Sequence, residues 1–348
     1  MKVGVLGYGM SAKTFHIPLL DRLSEFQLCA ISTSKTYEVL KDLSGQINSY
    51  PLWEELLEKE KGRLDLIIVT LPNHLHFKST QKALEKGFHV LVEKPFVITP
   101  QEVDELKSLA KEVSKEIFVY HNRRFDSDYE TVKKWIVEEK LGKIHTFYSF
   151  FDRFKPLPED IRDNWRLDQK LPATGFLWDL GSHLIDQALE LFGRPKWLWC
   201  RQRKLGPRPV VDDFEVIFSY PDKDVHLCSS MLKADFRDRF LIHGDRGSLR
   251  IQGTDPQEAF LKNNDYVNFQ KNSLSNLGLK GEFSDHKKCE EIELKKTQYL
   301  DFYRGLLKSL QTGQPFRIKV DQAKEVVELI CRCEESSKQG EWIELSTF

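Results

Sequence analysis

The sequence predicts an α/β fold in two domains. Residues 1–121 read as a doubly wound parallel sheet, and residues 122–348 as an α+β domain with a large, mostly antiparallel sheet. Three observations lead there. A short apolar strand, Lys2–Leu6, runs directly into Gly7-Tyr8-Gly9-Met10-Ser11-Ala12, a G-x-G-x-x-A turn. Apolar strands then alternate with helical stretches as far as His121. From Trp197 to Gln252, strands follow one another with turn residues between them. Alternating strands and helices build a parallel sheet through right-handed crossovers, whereas strands joined by short turns pair antiparallel.

The first turn carries specific chemistry. Gly7 allows the tight strand-to-helix turn, Gly9 lets a pyrophosphate approach the backbone, and Ala12 keeps helix and strand close. The following helix, expected to continue through Leu23, points free N–H groups at the phosphates. Gly7, Gly9, Met10, Ser11 and Ala12 are therefore candidate dinucleotide contacts in a Rossmann-type domain. Further strands are expected at Leu28–Ser32, Asp65–Thr70, His89–Glu93 and Ile117–His121, with helices at Leu75–Lys86 and Gln101–Val113 among them.

The end of the second strand separates the cofactors. An NAD site usually has Asp or Glu there to hold the ribose 2′-hydroxyl. This chain has Ser32-Thr33-Ser34-Lys35, a polar and cationic set that suits a 2′-phosphate. NADP is the expected cofactor. The plainer reading is a polar turn without preference, and NAD remains the alternative. Two more loops fall at carboxyl ends of parallel strands, where open α/β sheets bind ligands: Thr70-Leu71-Pro72-Asn73-His74 and Glu93-Lys94-Pro95. Lys94 thus points toward the reactive end of a cofactor.

In the second domain Asp126–Leu141 reads as an amphipathic helix, Ile144–Phe154 as a strand, and Lys155–Asp160 as a proline-rich loop. A helix from about Ala173 to Phe192 stops at Gly193-Arg194-Pro195. It contains G-F-L-W-D-L-G-S-H, which puts Asp179 and His183 four residues apart on one helix face. A carboxylate there can orient an imidazole and set its tautomer, leaving the histidine to move a proton near neutral pH. A solvated or capping Asp/His pair is the plainer reading of the same spacing. Strands follow at Trp197–Lys204, Val211–Tyr220, Val225–Lys233, Asp238–His243 and Ser248–Gln252. Turns at Pro221-Asp222-Lys223-Asp224 and Gly244-Asp245-Arg246-Gly247 separate two pairs of them. Residues 254–295, rich in Lys, Asn and Gln, read as a long excursion with few contacts. Helices at Thr297–Gln311 and Asp321–Lys338 close the chain.

The totals exclude other classes. A net charge of -1 does not suit a polyanion partner such as nucleic acid. The six cysteines show no CxxC pairing, so neither a disulfide scaffold nor a structural zinc is expected, and the expected compartment is the reducing cytoplasm. No apolar run approaches the length of a membrane span, and the N-terminus lacks a signal-peptide pattern.

Together, Gly7-x-Gly9-x-x-Ala12, Glu93-Lys94-Pro95 and the Asp179/His183 pair in D-L-G-S-H resemble the Gfo/Idh/MocA family of NAD(P)-dependent sugar and polyol dehydrogenases. The resemblance covers nearly the whole chain and is weakest at about 254–295. His121-Asn122-Arg123-Arg124-Phe125-Asp126, Phe151-Asp152-Arg153-Phe154 and Trp165-Arg166 are similar to the family's NADP-dependent scyllo-inositol dehydrogenase branch. The resemblance implies that Lys94, Asp179 and His183 are catalytic. It implies that Asn122, Arg123 and Trp165 lie near nicotinamide and substrate, and that Asn73 and His74 lie beside the nicotinamide ribose. Thr70, Leu71 and Glu93 join the cofactor set. Arg123, Arg124, Arg153 and Trp165 are candidates for polyol hydroxyls, surface ion pairs being the alternative for each arginine. Where the family has G-G before the Asp/His helix, this chain has Thr174-Gly175, implying a small change in loop geometry.

The implied reaction is reversible oxidation of a secondary alcohol on a ring polyol or sugar. The alternatives are an aldose or deoxy-sugar substrate, and a regulatory protein that binds NADP without turnover. The second sheet offers one face to a partner subunit, so a homodimer or higher homo-oligomer is expected, with a monomer as the alternative.

Overall fold

The computed structural model describes all residues except 35–42, 44–46, 157–163, 236, 273–277 and 346–348. Two compact units emerge. The first comprises Met1–His121, Glu258–Asp265 and Tyr299–Glu325; the second comprises Asn122–Gln257, Tyr266–Gln298 and Val326–Phe348.

The first unit holds a six-stranded, all-parallel sheet: β1 (Lys2–Leu6), β2 (Gln27–Ser32), β3 (Asn48–Tyr50), β4 (Leu66–Val69), β5 (His89–Val92) and β6 (Ile117–Val119), in the order β3-β2-β1-β4-β5-β6. Val3, Val5, Ile67, Ile68, Val90 and Leu91 have no exposure, as expected of parallel strands covered on both faces. The order steps outward from β1 in both directions. The carboxyl ends of β1 and β4, where it reverses, are the ligand position of a doubly wound sheet. The short strand β3 is an addition to the five strands legible in the sequence.

The helix after β1 departs from expectation. Ala12–His16 winds as a wide π-turn, Ile17 N–H reaching Ala12 O, and a single α-turn, α1 (Ile17–Leu20), ends the element before Leu23. Among the described residues three regular helices follow: α2 (Trp53–Lys59), α3 (His76–Glu85) and α4 (Pro100–Glu112). Thr99 and Glu102 form a capping box on α4, with Pro100 opening the helix.

The second unit is built on a nine-stranded sheet. Its strands are β7 (Ile144–Phe150), β8 (Trp197–Arg203), β9 (Asp213–Ser219), β10 (Asp224–Ser230), β11 (Phe240–Gly244), β12 (Gly247–Gln252), β13 (Lys280–Ser284), β14 (Cys289–Ile292) and β15 (Ile343–Glu344). The order is β14-β13-β12-β11-β7-β10-β9-β8-β15, antiparallel throughout except for β7 beside β10. One face buries Phe147, Leu198, Val216, Phe218, Leu227 and Ile242. The helices α5 (Ser127–Val137) and α6 (Ser182–Phe192) belong to this unit, and Phe192 of α6 packs edge-on against Phe147 at 5.1 Å. Burying Leu184, Ile185 and Leu189 of α6 contributes about 5–9 kcal/mol, which fixes the helix on the sheet.

Residues 254–295 correct the sequence reading. They form α7 (Gln257–Lys262), α8 (Tyr266–Asn272), β13 and β14, with Leu261 and Phe269 at most 1% exposed. The polar composition reflects an edge of the sheet, where one residue in two faces solvent, rather than a lack of contacts. Two expected boundaries also move. The first helix of this unit stops at Val137, because Glu139 adopts a left-handed φ of 50°. The helix carrying Asp179 begins at Leu177, since Ala173 and Gly175 both have positive φ. Helices α9 (Leu300–Thr312) and α10 (Val320–Gln339) complete the fold.

Candidate active site

The strand-to-helix turn of the first unit is set by its main chain. Gly7 has φ 99°, and a Cβ there would stand 3.0 Å from Thr70 Oγ1 and 3.1 Å from Thr70 O, so only glycine fits. A Cβ on Gly9 would meet nothing within 4 Å, which leaves open space above the turn. Met10 is half exposed beside it and Ala12 is fully buried. Thr70 donates its hydroxyl to Leu6 O at 2.9 Å and lies 3.2 Å from Gly7 O, tying the β4 loop to the turn. Glycine without steric neighbours and helix N–H groups form the cradle that a dinucleotide pyrophosphate requires.

The end of β2 is divided. Ser32 is 2% exposed and its Oγ accepts the Gly7 N–H at 3.3 Å, so it braces the turn from below. Thr33 N–H donates to Tyr50 O at 2.7 Å, Ser34 is exposed, and Lys35 lies outside the described residues.

Next to the turn lie the loops after β4 and β5. Asn73 is buried, and His74 holds a buried Nδ1 with no hydrogen-bond partner among the described residues, a polar atom available to a ligand. His76 spans the two loops, its ring nitrogens 2.8 Å from Leu71 O and 2.9 Å from Pro95 O. Burial pushes His76 below its ordinary pKa, against the two carbonyl oxygens, which favour protons on the ring nitrogens. Lys94 is half-buried and the Lys94–Pro95 peptide is cis. Glu93, 8% exposed, accepts the Lys94 N–H on Oε2 at 3.1 Å, and on Oε1 the His16 Nε2–H at 2.9 Å and the Ser11 hydroxyl. Burial alone raises the pKa of such a carboxyl. The bonds and charge from His16, then Ser11 and Lys94, outweigh it and hold Glu93 below its ordinary range.

The second unit carries the remaining candidates. Leu177–Gly181 is a second π-turn, running into α6. Such turns are frequent at functional sites. A Cβ on Gly181 would stand 2.9 Å from Leu177 Cδ1, the end of a side chain that would have to shift. Asp179 on this turn keeps a third of its side chain exposed and lies 3.9 Å from Arg166 Nε. Arg166 stacks on Trp165 at 4.4 Å, so Trp165, Arg166 and Asp179 form one cluster. His183 is 6% exposed. Trp178, beside Asp179, donates its indole N–H to Glu334 at 2.7 Å and anchors the turn from below.

The arginines separate. Arg123, 4% exposed, pairs with Asp126 at 3.2 Å and lies 4.9 Å over the Phe151 ring. Asn122 is buried in the same 3₁₀ turn. Arg153 keeps partial exposure and lies 5.5 Å over the same Phe151 ring. Arg124 corrects the expectation of a hydroxyl contact. It has no exposure, grips Asp186 through two bonds of 2.8 and 2.6 Å, and approaches Glu190 at 3.4 Å. Its guanidinium belongs to the core.

Sequence reasoning missed His16, His76, Tyr303 and the role of Arg166. His16 stands in an apolar stretch, F-H-I-P, which signals a buried imidazole needing partners. Tyr303 is 287 residues away from it and left no local signal.

The comparisons agree with this division. Residues 1–121 match the oxidoreductase family model with an NAD-binding Rossmann fold, and residues 129–250 match the GFO/IDH/MocA C-terminal domain. The chain is 35% identical to the scyllo-inositol 2-dehydrogenase (NADP(+)) IolW of Bacillus subtilis, over 99% of this chain and 96% of that one. It is 40% identical to the oxidoreductase YdgJ of Escherichia coli, over 76% and 74% of the two chains. An oxidoreductase of Yersinia pestis superposes with a TM-score of 0.90 at 33% identity, over 100% of this chain and 98% of that one. An open dinucleotide turn, a lysine held in E-K-P, an Asp/His turn over a nine-stranded sheet and these matches at both ends have one explanation: the chain is an oxidoreductase of the GFO/IDH/MocA family.

Proposed function

We infer that this oxidoreductase transfers hydride between NADP and a secondary alcohol of a cyclic polyol or sugar, in the manner of a scyllo-inositol dehydrogenase. The whole-length similarity to an NADP-dependent scyllo-inositol 2-dehydrogenase carries the reading. It is supported by the open cradle over Gly9, the polar end of β2 and the partly exposed Asp179 one turn before His183. NAD is the cofactor to compare, since the family model itself is described as NAD-binding.

When bound, the nicotinamide supplies the hydride acceptor or donor. The chain's residues do the rest. His183 takes the hydroxyl proton. Asp179 orients His183 and holds a neighbouring hydroxyl. Lys94, as a cation, stabilises alkoxide character developing on the substrate oxygen. Asn73, His74, Asn122 and Trp165 serve the nicotinamide end, Thr70 and Leu71 line its approach, and Arg123 and Arg153 take polyol hydroxyls. Thr33, Ser34 and Lys35 hold the 2′-phosphate, with Ser32 bracing them from the strand end. The protein works in the cytoplasm, where its six cysteines stay reduced.

A homodimer completes the proposal. The outer face of the second sheet carries a row in register, Trp199, Ile217, His226, Tyr148 and Leu241, all half-buried. Tyr148 stacks on His226 at 4.7 Å, and Arg201–Glu215 and Arg203–Asp213 pairs lie along one margin. An apolar centre with a mixed-charge rim suits a two-fold self-contact. Sedimentation velocity at micromolar protein tests it, a monomer being the refuting result.

Absorbance at 340 nm with NADP and NAD over a panel of inositols, aldoses and deoxy-sugars tests the catalytic reading. NADP reduction by an inositol is expected. Cofactor binding without turnover on any member favours a regulatory protein. A tenfold preference for NAD in kcat/KM refutes the assignment of the β2 end.

A further inference from the structure

Glu93 sits at the end of a buried chain of donors. Tyr303 on α9 and His16 on the π-turn have no exposure, and Tyr303 Oη lies 2.6 Å from His16 Nδ1. The opposite ring nitrogen, Nε2, lies 2.9 Å from Glu93 Oε1. A carboxylate only accepts, so the Nε2 proton points at Glu93 whether the ring is neutral, with the tyrosine hydroxyl donating to Nδ1, or protonated, with both ring nitrogens donating. The Ser11 hydroxyl donates to the same Oε1, and the Lys94 N–H donates to Oε2 at 3.1 Å. The His16 Nε2, Ser11 and Lys94 hydrogens are therefore all directed toward Glu93. The Tyr120 ring lies 4.4 Å from the His16 ring and limits its plane. Burial pushes the Tyr303 hydroxyl far above its ordinary range, so it keeps its proton, while the donors around Glu93 keep that carboxyl ionised.

The two ends of this chain matter. Ser11 stands in the dinucleotide turn, 82 residues from Glu93 in sequence. Lys94 has a long flexible side chain, so the reach of its ammonium depends on how firmly its main chain is held. We propose that Tyr303, His16 and Glu93 are positioning residues for Lys94: they hold its main chain and tie it to Ser11, so that dinucleotide turn and catalytic lysine keep one geometry. This rests on the reading of Lys94 given above.

A double-mutant cycle tests it. Glu93→Gln, which keeps shape but offers only one good acceptor, is expected to lower kcat about ten- to hundredfold. In a Lys94→Ala background the same change is expected to cost less than about threefold, because residues acting through one another are not additive. Tyr303→Phe removes one oxygen, so it serves if Glu93→Gln does not fold; about a three- to tenfold loss of kcat is expected, again only when Lys94 is present. His16→Gln, which retains an N–H toward Glu93, is expected to recover much of the kcat lost in His16→Ala. Deuterium uptake at the Lys94 amide is expected to quicken in Glu93→Gln and Tyr303→Phe, a readout that needs no substrate. Equal losses from Glu93→Gln with and without Lys94, or unchanged uptake at its amide, overturn the proposal. Full kcat in Lys94→Ala overturns the reading of Lys94 instead, and the deuterium result then judges the main-chain tether by itself.

Discussion

Replacing Gly9 by alanine separates what folding requires from what a dinucleotide requires. A Cβ at Gly9 meets no atom within 4 Å, and its φ lies outside the left-handed region. Restricting the unfolded chain at such a position favours the folded state by about 0.4–1 kcal/mol. Gly7 is the control. At φ 99°, with Thr70 Oγ1 and O at 3.0 and 3.1 Å from the new Cβ, alanine there is strained by about 1–3 kcal/mol. For a domain of this size about 1 kcal/mol moves Tm by roughly 2–4 °C. Gly9→Ala is therefore expected to melt at or just above the wild type, and Gly7→Ala several degrees below it. Binding should follow a different order. The added methyl of Gly9→Ala occupies the space through which a pyrophosphate reaches the main chain. Losing one charge-assisted N–H bond costs about 1.5–3 kcal/mol, or at least about tenfold in Kd. The assay is thermal melting with and without NADP, with Kd from calorimetry. At a ligand concentration of about 100 Kd the wild type gains roughly 2.7 kcal/mol, and Gly9→Ala should lose about half of that gain or more at the same concentration. A Gly9→Ala protein that is stable and binds NADP as tightly as the wild type refutes the cradle.

Three further outcomes are expected. Lys94→Ala should lower kcat a few hundredfold, since one charged donor in a closed site contributes about 3–4 kcal/mol, while NADP affinity measured by calorimetry stays near the wild-type value. Asp186→Ala should destabilise the protein by about 3–5 kcal/mol in urea unfolding, because Arg124 is left charged in the core; Arg124→Met with Asp186→Leu should recover a large part of that loss. Glu93 gives a pH signature. Its folded pKa lies below the ordinary 4.5, so its ionised form stabilises the fold above that value, and this contribution drains away as pH falls through the folded pKa. The stability gap between wild type and Glu93→Gln, from urea titrations, should shrink as pH is lowered from 6 to 3, and a gap constant over that range contradicts the assignment.

Much of this was readable from local pattern. G-x-G-x-x-A between an apolar strand and a helix start specifies a backbone conformation, and Gly7 adopts it with φ 99°. Strand–helix alternation specified the parallel sheet, and turn residues between Trp197 and Gln252 specified the antiparallel one. Edge elements were less legible. Asn48–Tyr50 and Cys289–Ile292 pair along one side only, so their side chains show neither a buried run nor a full alternation. Arg124 was misassigned because a basic residue beside candidate site residues looks the same in sequence whether solvent or Asp186 receives it.

The sequence by itself determined the class of fold, the positions of the dinucleotide turn, the E-K-P lysine and the Asp/His turn, and the family. Each depends on residues within a few positions of one another, where backbone sterics and helical or strand periodicity act. The tertiary structure alone decided which charged side chains are committed to the core and what stands behind Glu93. Those partners are 62 residues apart for Arg124 and Asp186 and 287 for His16 and Tyr303, and a hydrogen bond needs its donor within about 3 Å, a condition that only the folded chain imposes.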